Sequence, residues 1–530
     1  MRLYGINIDY VDVDPRLVIT RNGNAPKPRV YHALPSLVPD TMLGIFNNSV
    51  DVAAVAITER LLNLKVDGKL TTPISPMVGI FKTREMLSFA KNIAYYAKQR
   101  AHVYSHREVV EMYSGHKLKV YTNALNEFQH SGCPASAANL SVFIKYEKVN
   151  VTKAPRIISP RQPVYNLCLA RFLKKMEKIV YKAIHKQFRS DSYHTVYKGM
   201  NVVQTATDMR TKWERFSRPC AIGGDITKLD MHIRSDALHY EHSVYNMSIT
   251  SRTLKRLLKL QHSPLNVCYF PDGKININDI PGMVREASRA SGDINTSMGN
   301  VIIVCSMIWT FTKVFGVTIE LVNNGDDFVI ITDSCYTITV TTLLPLWFKF
   351  HGFVLAMEAP VYEFEQIVFC QTQPINVSGV WTMCRDPATI LKKDTICTIP
   401  VNGSSVLAKW LDAVGQCGLA LTSGMPILQS FYMMYVRNGL PCGQKFKQHI
   451  FRNTGVMERT NGMTWRYKPV TESTRWSFYL AFGVLPDLQR ALEEYFSTLV
   501  VQNDIEQALP DQLIRDSSLI YNYITYEISR

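Results

Sequence analysis

The chain has 530 residues, of which 46% are hydrophobic, and carries a formal net charge of +15 at pH 7. That length admits two to four domains or one large multi-lobed enzyme, and the apolar share is that of an ordinary globular protein with a sizeable core. The charge argues against an indifferent surface and for a polyanionic partner, either nucleic acid or an acidic membrane.

In chain order, Asn7 and Asp9 interrupt any early apolar run, so no signal peptide is expected. Residues 21–40, rich in Pro and Asn-Gly signals, read as an extended arm. Residues 51–64 and 84–113 read as helices. The positive charge then concentrates: residues 143–218 hold seventeen Lys and Arg against five Asp and Glu, whereas the chain beyond about residue 400 is nearly neutral. A uniformly solvated surface would spread its charge, so this block favours a phosphate-binding face over a solubilising helix face around Lys174 to Lys186. Within it, residues 153–163 read as extended and residues 167–188 as a helix.

A strand starting near Pro219 should lead into Asp225, with Gly223-Gly224 just before it and Asp230 five residues on. Asp225 would then stand at a sheet edge. The spacing alone is unspecific. His239 and His242 lie three apart on an expected helix, and without partner ligands they read as surface or packing residues. The loop from Ser291 to Asn300 begins Ser291-Gly292-Asp293. Gly292 permits an unusual backbone angle, and the hydroxyls and amides that follow can bond a ligand at a helix start. A helix capped by Asp293 or Thr296 accounts for the same residues equally well. Residues 301–317 are the most apolar stretch, but they are short for a membrane span and Lys313 interrupts them, so a buried core helix is expected.

The next segment is the most informative. Residues 317–322 and 328–331 are apolar, β-branched runs, and Asn323-Asn324-Gly325-Asp326-Asp327 joins them. That is a strong hairpin signal. Two adjacent carboxylates at a hairpin tip repel each other, and a divalent metal would relieve the repulsion. Taken alone, an ordinary solvated turn explains the residues as well. The order raises the functional reading: basic segment, carboxylate pair, Ser-Gly loop, then Gly-Asp-Asp. Pro400, Gly403 and Ser404-Ser405 mark a boundary before a mostly helical C-terminal region. The eleven cysteines show no Cys-x-x-Cys pair, which reads as reduced thiols in a cytosolic protein with no zinc site. No Gly-x4-Gly-Lys-Ser/Thr loop supports a helicase.

With these motifs in place the chain resembles the RNA-dependent RNA polymerases of positive-strand RNA viruses, most closely the tombusvirus-like group. Residues 140–395 carry the resemblance. Phe143-Ile144-Lys145-Tyr146-Glu147-Lys148 with Ala154-Pro155-Arg156-Ile157-Ile158-Ser159-Pro160-Arg161 is similar to the family's basic nucleotide-entry motif. Lys198-Gly199, Ser291-Gly292-Asp293 with Asn295-Thr296, Phe369-Cys370-Gln371, and Arg385-Asp386-Pro387 with Lys393-Asp394 are also similar. The resemblance implies an α+β right-hand polymerase of fingers, palm and thumb. Residues 1–120 would form an N-terminal arm and fingertips, and 121–218 the fingers with the nucleotide-entry segment. Residues 219–395 would form the palm with a fingers insertion near 251–285, and 396–530 a helical thumb.

The same resemblance implies that Asp225 and Asp326 bind two Mg²⁺ ions, for which Mn²⁺ could substitute. Asp327 completes the catalytic and metal-site carboxylates from beside them. Asp230 and Asn300, with Ser291 and Thr296, would sense the ribose 2′-hydroxyl, by which RNA precursors are told from DNA precursors. Arg156, with Lys145, Lys148, Lys153 and Arg161, would hold the triphosphate, and Phe369, Cys370 and Gln371 would support the nascent 3′ end. The expected partners are single-stranded RNA template, ribonucleoside triphosphates and a membrane-anchored viral replication protein. The expected place is the host cytoplasm, at a membrane-associated replication complex. One family feature is missing. A lysine often follows a Gly-Phe pair to protonate pyrophosphate, but after Gly352-Phe353 its position falls on Ala356, and Lys349 is the nearest lysine. Two other readings share some of these residues. A reverse transcriptase would carry an aromatic residue where Asp230 and Asn300 keep polar groups. A non-catalytic RNA-binding protein would not need all three carboxylates.

Overall fold

The computed structural model describes residues 2–8, 12–34, 43–188, 194–281, 283, 286–451, 460 and 463–501. Helices and antiparallel strands are mixed along the chain. At the centre lies a four-stranded antiparallel sheet in the order Ile319–Asn323, Asp327–Asp333, Pro219–Ile226, Leu355–Met357. Cys220, Ile222, Phe328 and Ile330 face one hydrophobic core, and Ala221, Val329 and Ile331 face another. Both faces of the sheet are therefore covered, which is why its strands read as nearly continuous apolar runs.

The two glycines before Asp225 serve close packing. A Cβ on Gly223 would land on the Glu358 carboxylate, and one on Gly224 would come within 2.5 Å of the Phe328 ring. Across the sheet Gly224 pairs with Phe328 and Asp225 with Asp327, so these approaches set how the two carboxylate-bearing strands lie together.

The apolar stretch after the Ser-Gly loop is the helix Thr296–Phe315. It is long and apolar enough to cross a membrane, yet 67% of its most apolar window is buried inside the molecule. It packs on the helices Arg84–Lys98, Met176–Phe188 and Ser235–Ser248 in the largest core. That placement makes it a core helix, as its length and Lys313 predict.

Two expected helices are each divided. Residues 84–113 form Arg84–Lys98 and His106–Glu111. The second starts afresh at a capping box, in which Ser105 and Glu108 satisfy each other's backbone N–H groups. Residues 167–188 form the end of Pro163–Leu173 and then Met176–Phe188. The break falls at Lys174 and Lys175, two exposed residues with no helix-stopping chemistry. Residues 51–64 form the helix Val50–Ile57, which widens into a π turn over Thr58–Leu62.

The expected arm is tied into sheets at Arg21 and at Val30–Ala33, with no regular structure over residues 22–29 between them. Leu17–Arg21 pairs with Gly273–Ile277, and Val30–Ala33 pairs with both Arg2–Tyr4 and Ile396–Cys397. The remainder of the arm, residues 35–40, lies outside the described residues. Beyond Gly403 the chain is helical, beginning with Ser404–Thr422 and Leu428–Asn438. Their core also takes Ile375, Val377 and Cys384 from the hairpin Thr372–Val377 and Val380–Arg385. The packing boundary therefore lies upstream of the sequence boundary near residue 400.

Candidate active site

Asp225 is the penultimate residue of the strand Pro219–Ile226, exposed after five buried residues. Asp326 is exposed in the turn beside it, where Gly325 adopts φ +103°. Asn323 ties this turn: its Oδ1 accepts from Gly325 N at 3.0 Å and its Nδ2 donates to Gly325 O at 3.0 Å. Lys198 Nζ donates to Asn324 O at 3.0 Å. Asp225 and Asp326 both line a cleft of about 520 Å³, together with Asp230, Ser291, Asn300, Lys145 and Arg156.

Partial burial, reinforced by the charge of Asp326, raises the Asp225 carboxyl above its ordinary value. The pair is thus held in mutual repulsion that a cation would relieve. Among the described residues, no three His, Cys, Asp or Glu side chains converge as a ready-made metal cage. Two carboxylates facing a cleft that is also lined by Arg156 and Lys145 suit Mg²⁺, which is usually held by one or two carboxylates plus substrate oxygens. The residues present fit that group.

Asp327 is placed differently from its neighbour. Strand alternation turns it away from the cleft lining, and its Oδ2 accepts from Cys370 N at 2.8 Å. Burial, with Asp326 and Asp225 adding to it, pushes the carboxyl up to about 6 although the Cys370 amide opposes this. The turn it braces is Phe369-Cys370-Gln371-Thr372. Phe369 N donates to Thr372 O at 2.9 Å, and Thr372 N to Phe369 O at 3.0 Å. Cys370 has φ +52° and Gln371 φ +60°. A two-residue hairpin turn with both central residues left-handed ordinarily takes Asn-Gly. Cys-Gln is strained there, and the Asp327 bond helps hold it. Phe369 itself is buried, edge-on to Tyr197.

Asp230 and Asn300 meet in the same cleft. Asn300 Nδ2 donates to Asp230 Oδ1 at 3.2 Å, and Arg289 Nε donates to Asn300 Oδ1 at 3.2 Å. Burial pushes the Asp230 carboxyl up to about 6, against the pull of Asn300 and Arg289. Ser291 also lines the cleft, and its Oγ accepts from Ser159 N at 3.1 Å. Thr296 does not line it; its hydroxyl donates to Ala290 O at 2.7 Å.

Neither Asp293 nor Thr296 caps the helix, whose N-cap is Asn295 with no side-chain capping bond to the helix. Asp293 is turned to a buried ion pair with Arg161, Nε to Oδ1 at 2.6 Å. Nor is Gly292 left-handed. It is needed because a Cβ would sit 2.6 Å from Pro160 Cα. The Ser-Gly loop is therefore clamped directly on the basic segment.

That clamp divides the expected triphosphate residues. Arg156 and Lys145 line the cleft and share Glu147, at 3.7 Å and 2.9 Å. Arg161 is committed to Asp293 and to the Ala138 carbonyl. Lys148 donates to the Lys393 carbonyl away from the cleft, and burial lowers its amine below the ordinary lysine value. Lys153 is exposed in the turn after Asn150, also outside the cleft lining.

Three cationic residues line the cleft that the motifs did not single out: Arg60, Lys228 and Arg289. Lys228, with φ +49°, lies between Asp225 and Asp230, and Arg289 lies two residues before Ser291. Lys228 was legible as a cation inside a recognised motif, and Arg289 stands just outside one. Arg60 comes from the distant π turn, and nothing in the sequence connects it to the site. Ala356 pairs with Asp225 across the sheet, while Lys349 is exposed on the helix Thr337–Phe350 and does not line the cleft.

Residues 17–504 match the model of a family described as viral RNA dependent RNA polymerase. The match reaches well beyond residues 140–395 into both flanks. An RNA-directed RNA polymerase of Tobacco necrosis virus (strain A) is 33% identical over 497 residues, covering 92% of this chain and 67% of that protein. One of Oat chlorotic stunt virus is 34% identical, covering 91% and 66%. One of Maize chlorotic mottle virus is 35% identical, covering 86% and 46%. The chain thus spans from about half to two-thirds of the length of these relatives.

Proposed function

We propose, from the premise that this chain belongs to the viral RNA-dependent RNA polymerase family, that it carries out template-directed RNA synthesis from ribonucleoside triphosphates to replicate a viral RNA. The observation that carries this reading is one cleft lined by Asp225 and Asp326, by the Asp230–Asn300 pair, and by Arg156 and Lys145. A metal pair, a sugar contact and a phosphate contact are the three things nucleotide addition needs.

In this reading the central sheet is the palm, within residues 219–395. Residues 121–218 with the 251–285 insertion are fingers, residues 1–120 the arm and fingertips, and residues 396–530 the thumb. Asp225 and Asp326 would hold two Mg²⁺ ions, which when bound supply activation of the primer or first-nucleotide 3′-hydroxyl and neutralisation at the leaving pyrophosphate. Arg156 and Lys145 orient the triphosphate and offset its charge, with Glu147 holding the two cations in register. Asp230 accepts a hydrogen bond from the ribose 2′-hydroxyl. Asp327 fixes the Phe369–Thr372 turn beside the metal pair, where that turn supports the 3′ end of the product. Single-stranded RNA template enters on the basic face.

Incorporation on homopolymeric single-stranded RNA tests the reading. Product is expected only with the complementary ribonucleotide, and equal incorporation of all four would contradict template direction. We also propose recruitment to cytoplasmic membranes through a membrane-anchored viral replication protein. In a flotation assay this chain alone should stay with the soluble fraction, and flotation without a partner would contradict that route.

A further inference from the structure

We infer that Arg289, held by Glu241, is a positioning residue that sets the Asn300 amide and through it Asp230, and so governs selection of ribose. This rests on the polymerase reading above and adds to it a residue pair outside the recognised motifs.

The side chains of Arg289 and Glu241 are both fully buried, and they form an ion pair through Nη2 and Oε2. Glu241 is itself fixed, its Oε1 accepting from Tyr245 Oη at 2.7 Å and from Asn295 Nδ2 at 2.8 Å. Asn295 Oδ1 in turn accepts from Gln261 Nε2 at 2.8 Å. Arg289 thus has little freedom, and its Nε is aimed at Asn300 Oδ1.

The chemistry then dictates direction. A guanidinium only donates, so Asn300 must present its oxygen to Arg289 and its NH₂ to Asp230. With that NH₂ on Oδ1, the second Asp230 oxygen is left for the cleft. The helix also approaches closely enough only because residue 299 lacks a side chain: a Cβ on Gly299 would land on both Glu241 and Arg289.

A buried ion pair is at best near neutral for stability compared with apolar residues of the same volume. This one also leaves Arg289 Nη1 without a partner among the described residues. Packing alone therefore gives no reason for an arginine here. The forked donor that reaches both Glu241 and Asn300 does, and a lysine would replace that fixed fork with a single point charge.

The test compares the native chain with Arg289→Lys, measuring kcat and KM for UTP and dUTP on a poly(A) template with Mg²⁺. Lys keeps the charge opposite Glu241 but loses the bond to Asn300. We expect KM for UTP to rise roughly tenfold, as for other supporting shells, with a much smaller change for dUTP, so that the preference for ribose falls. A merely structural role would lower the active fraction and leave the UTP/dUTP ratio alone. A folded Arg289→Lys chain with an unchanged ratio overturns the inference while leaving the polymerase reading standing. Should that variant not fold, Glu241→Gln with Arg289→Met removes both charges and gives the same readout, with the same two outcomes. A native chain that makes no templated product overturns the polymerase reading, and this inference falls with it.

Discussion

Replacing Asp230 by Asn should make the protein more stable and less selective at the same time. Burial holds the Asp230 carboxyl at about 6 against an ordinary 3.8. That difference is worth roughly 3 kcal/mol. The sign follows from proton binding. Between these values the folded chain keeps a proton that the unfolded chain has released, so stability is lost as pH rises through about 6. At about pH 7.5 the full penalty is present, and at about pH 5 roughly half of it.

Asn carries no charge and keeps an oxygen for Asn300 Nδ2, at the cost of a weaker bond to it, about 1 kcal/mol. Asp230→Asn should therefore gain about 2 kcal/mol near neutrality, a few degrees in melting temperature, with the gain shrinking towards pH 5. Its neutral oxygen should also bind the ribose hydroxyl less well by about 1–2 kcal/mol, a five- to thirty-fold loss of preference for UTP over dUTP. Thermal unfolding scanned against pH and competitive incorporation read the two effects. A variant less stable than the native chain at neutral pH, or a gain that ignores pH, would refute the burial argument. Unchanged sugar preference would refute the assignment of Asp230.

Two further substitutions separate structure from substrate contact within the basic segment. Arg161→Ala leaves Asp293 buried without its partner and should cost about 3–5 kcal/mol in unfolding experiments. Arg156→Ala should leave unfolding within about 0.5 kcal/mol and raise KM for nucleotide instead; the reverse pattern would contradict the division drawn between them. In the strained turn, Gln371→Gly should raise stability by about 1 kcal/mol, because glycine adopts a positive φ freely. A fall in melting temperature would show that the Gln371 side chain does more than tolerate the conformation.

Much of this was legible because local chemistry and tertiary placement agree. Continuous apolar, β-branched runs around Asn-Gly pointed to the hairpin that carries Asp326, and the run from Pro219 to the strand that bears Asp225. What escaped the sequence depends on approach between distant segments. Gly292 looked like a residue chosen for its backbone angle, whereas it makes room for Pro160. Asp293 looked like a cap, whereas Arg161, 132 residues away, takes its carboxylate. Arg161 and Lys148 look like Arg156 in a list of cations, and only burial separates them. The split at Lys174 has no signal at all, since both flanking segments have good helix-forming composition. The Arg289–Glu241 pair hid for the same reason: 48 residues separate its two groups, of which only Arg289 lines the cleft.

The most direct test of the central claim is labelled-nucleotide incorporation on single-stranded RNA with Mg²⁺, comparing the native chain with Asp326→Ala while RNA binding is measured on both. Product from the native chain alone, with equal RNA binding, is the predicted result. Native-level incorporation by Asp326→Ala would contradict the assignment of Asp225 and Asp326 as the metal-holding pair.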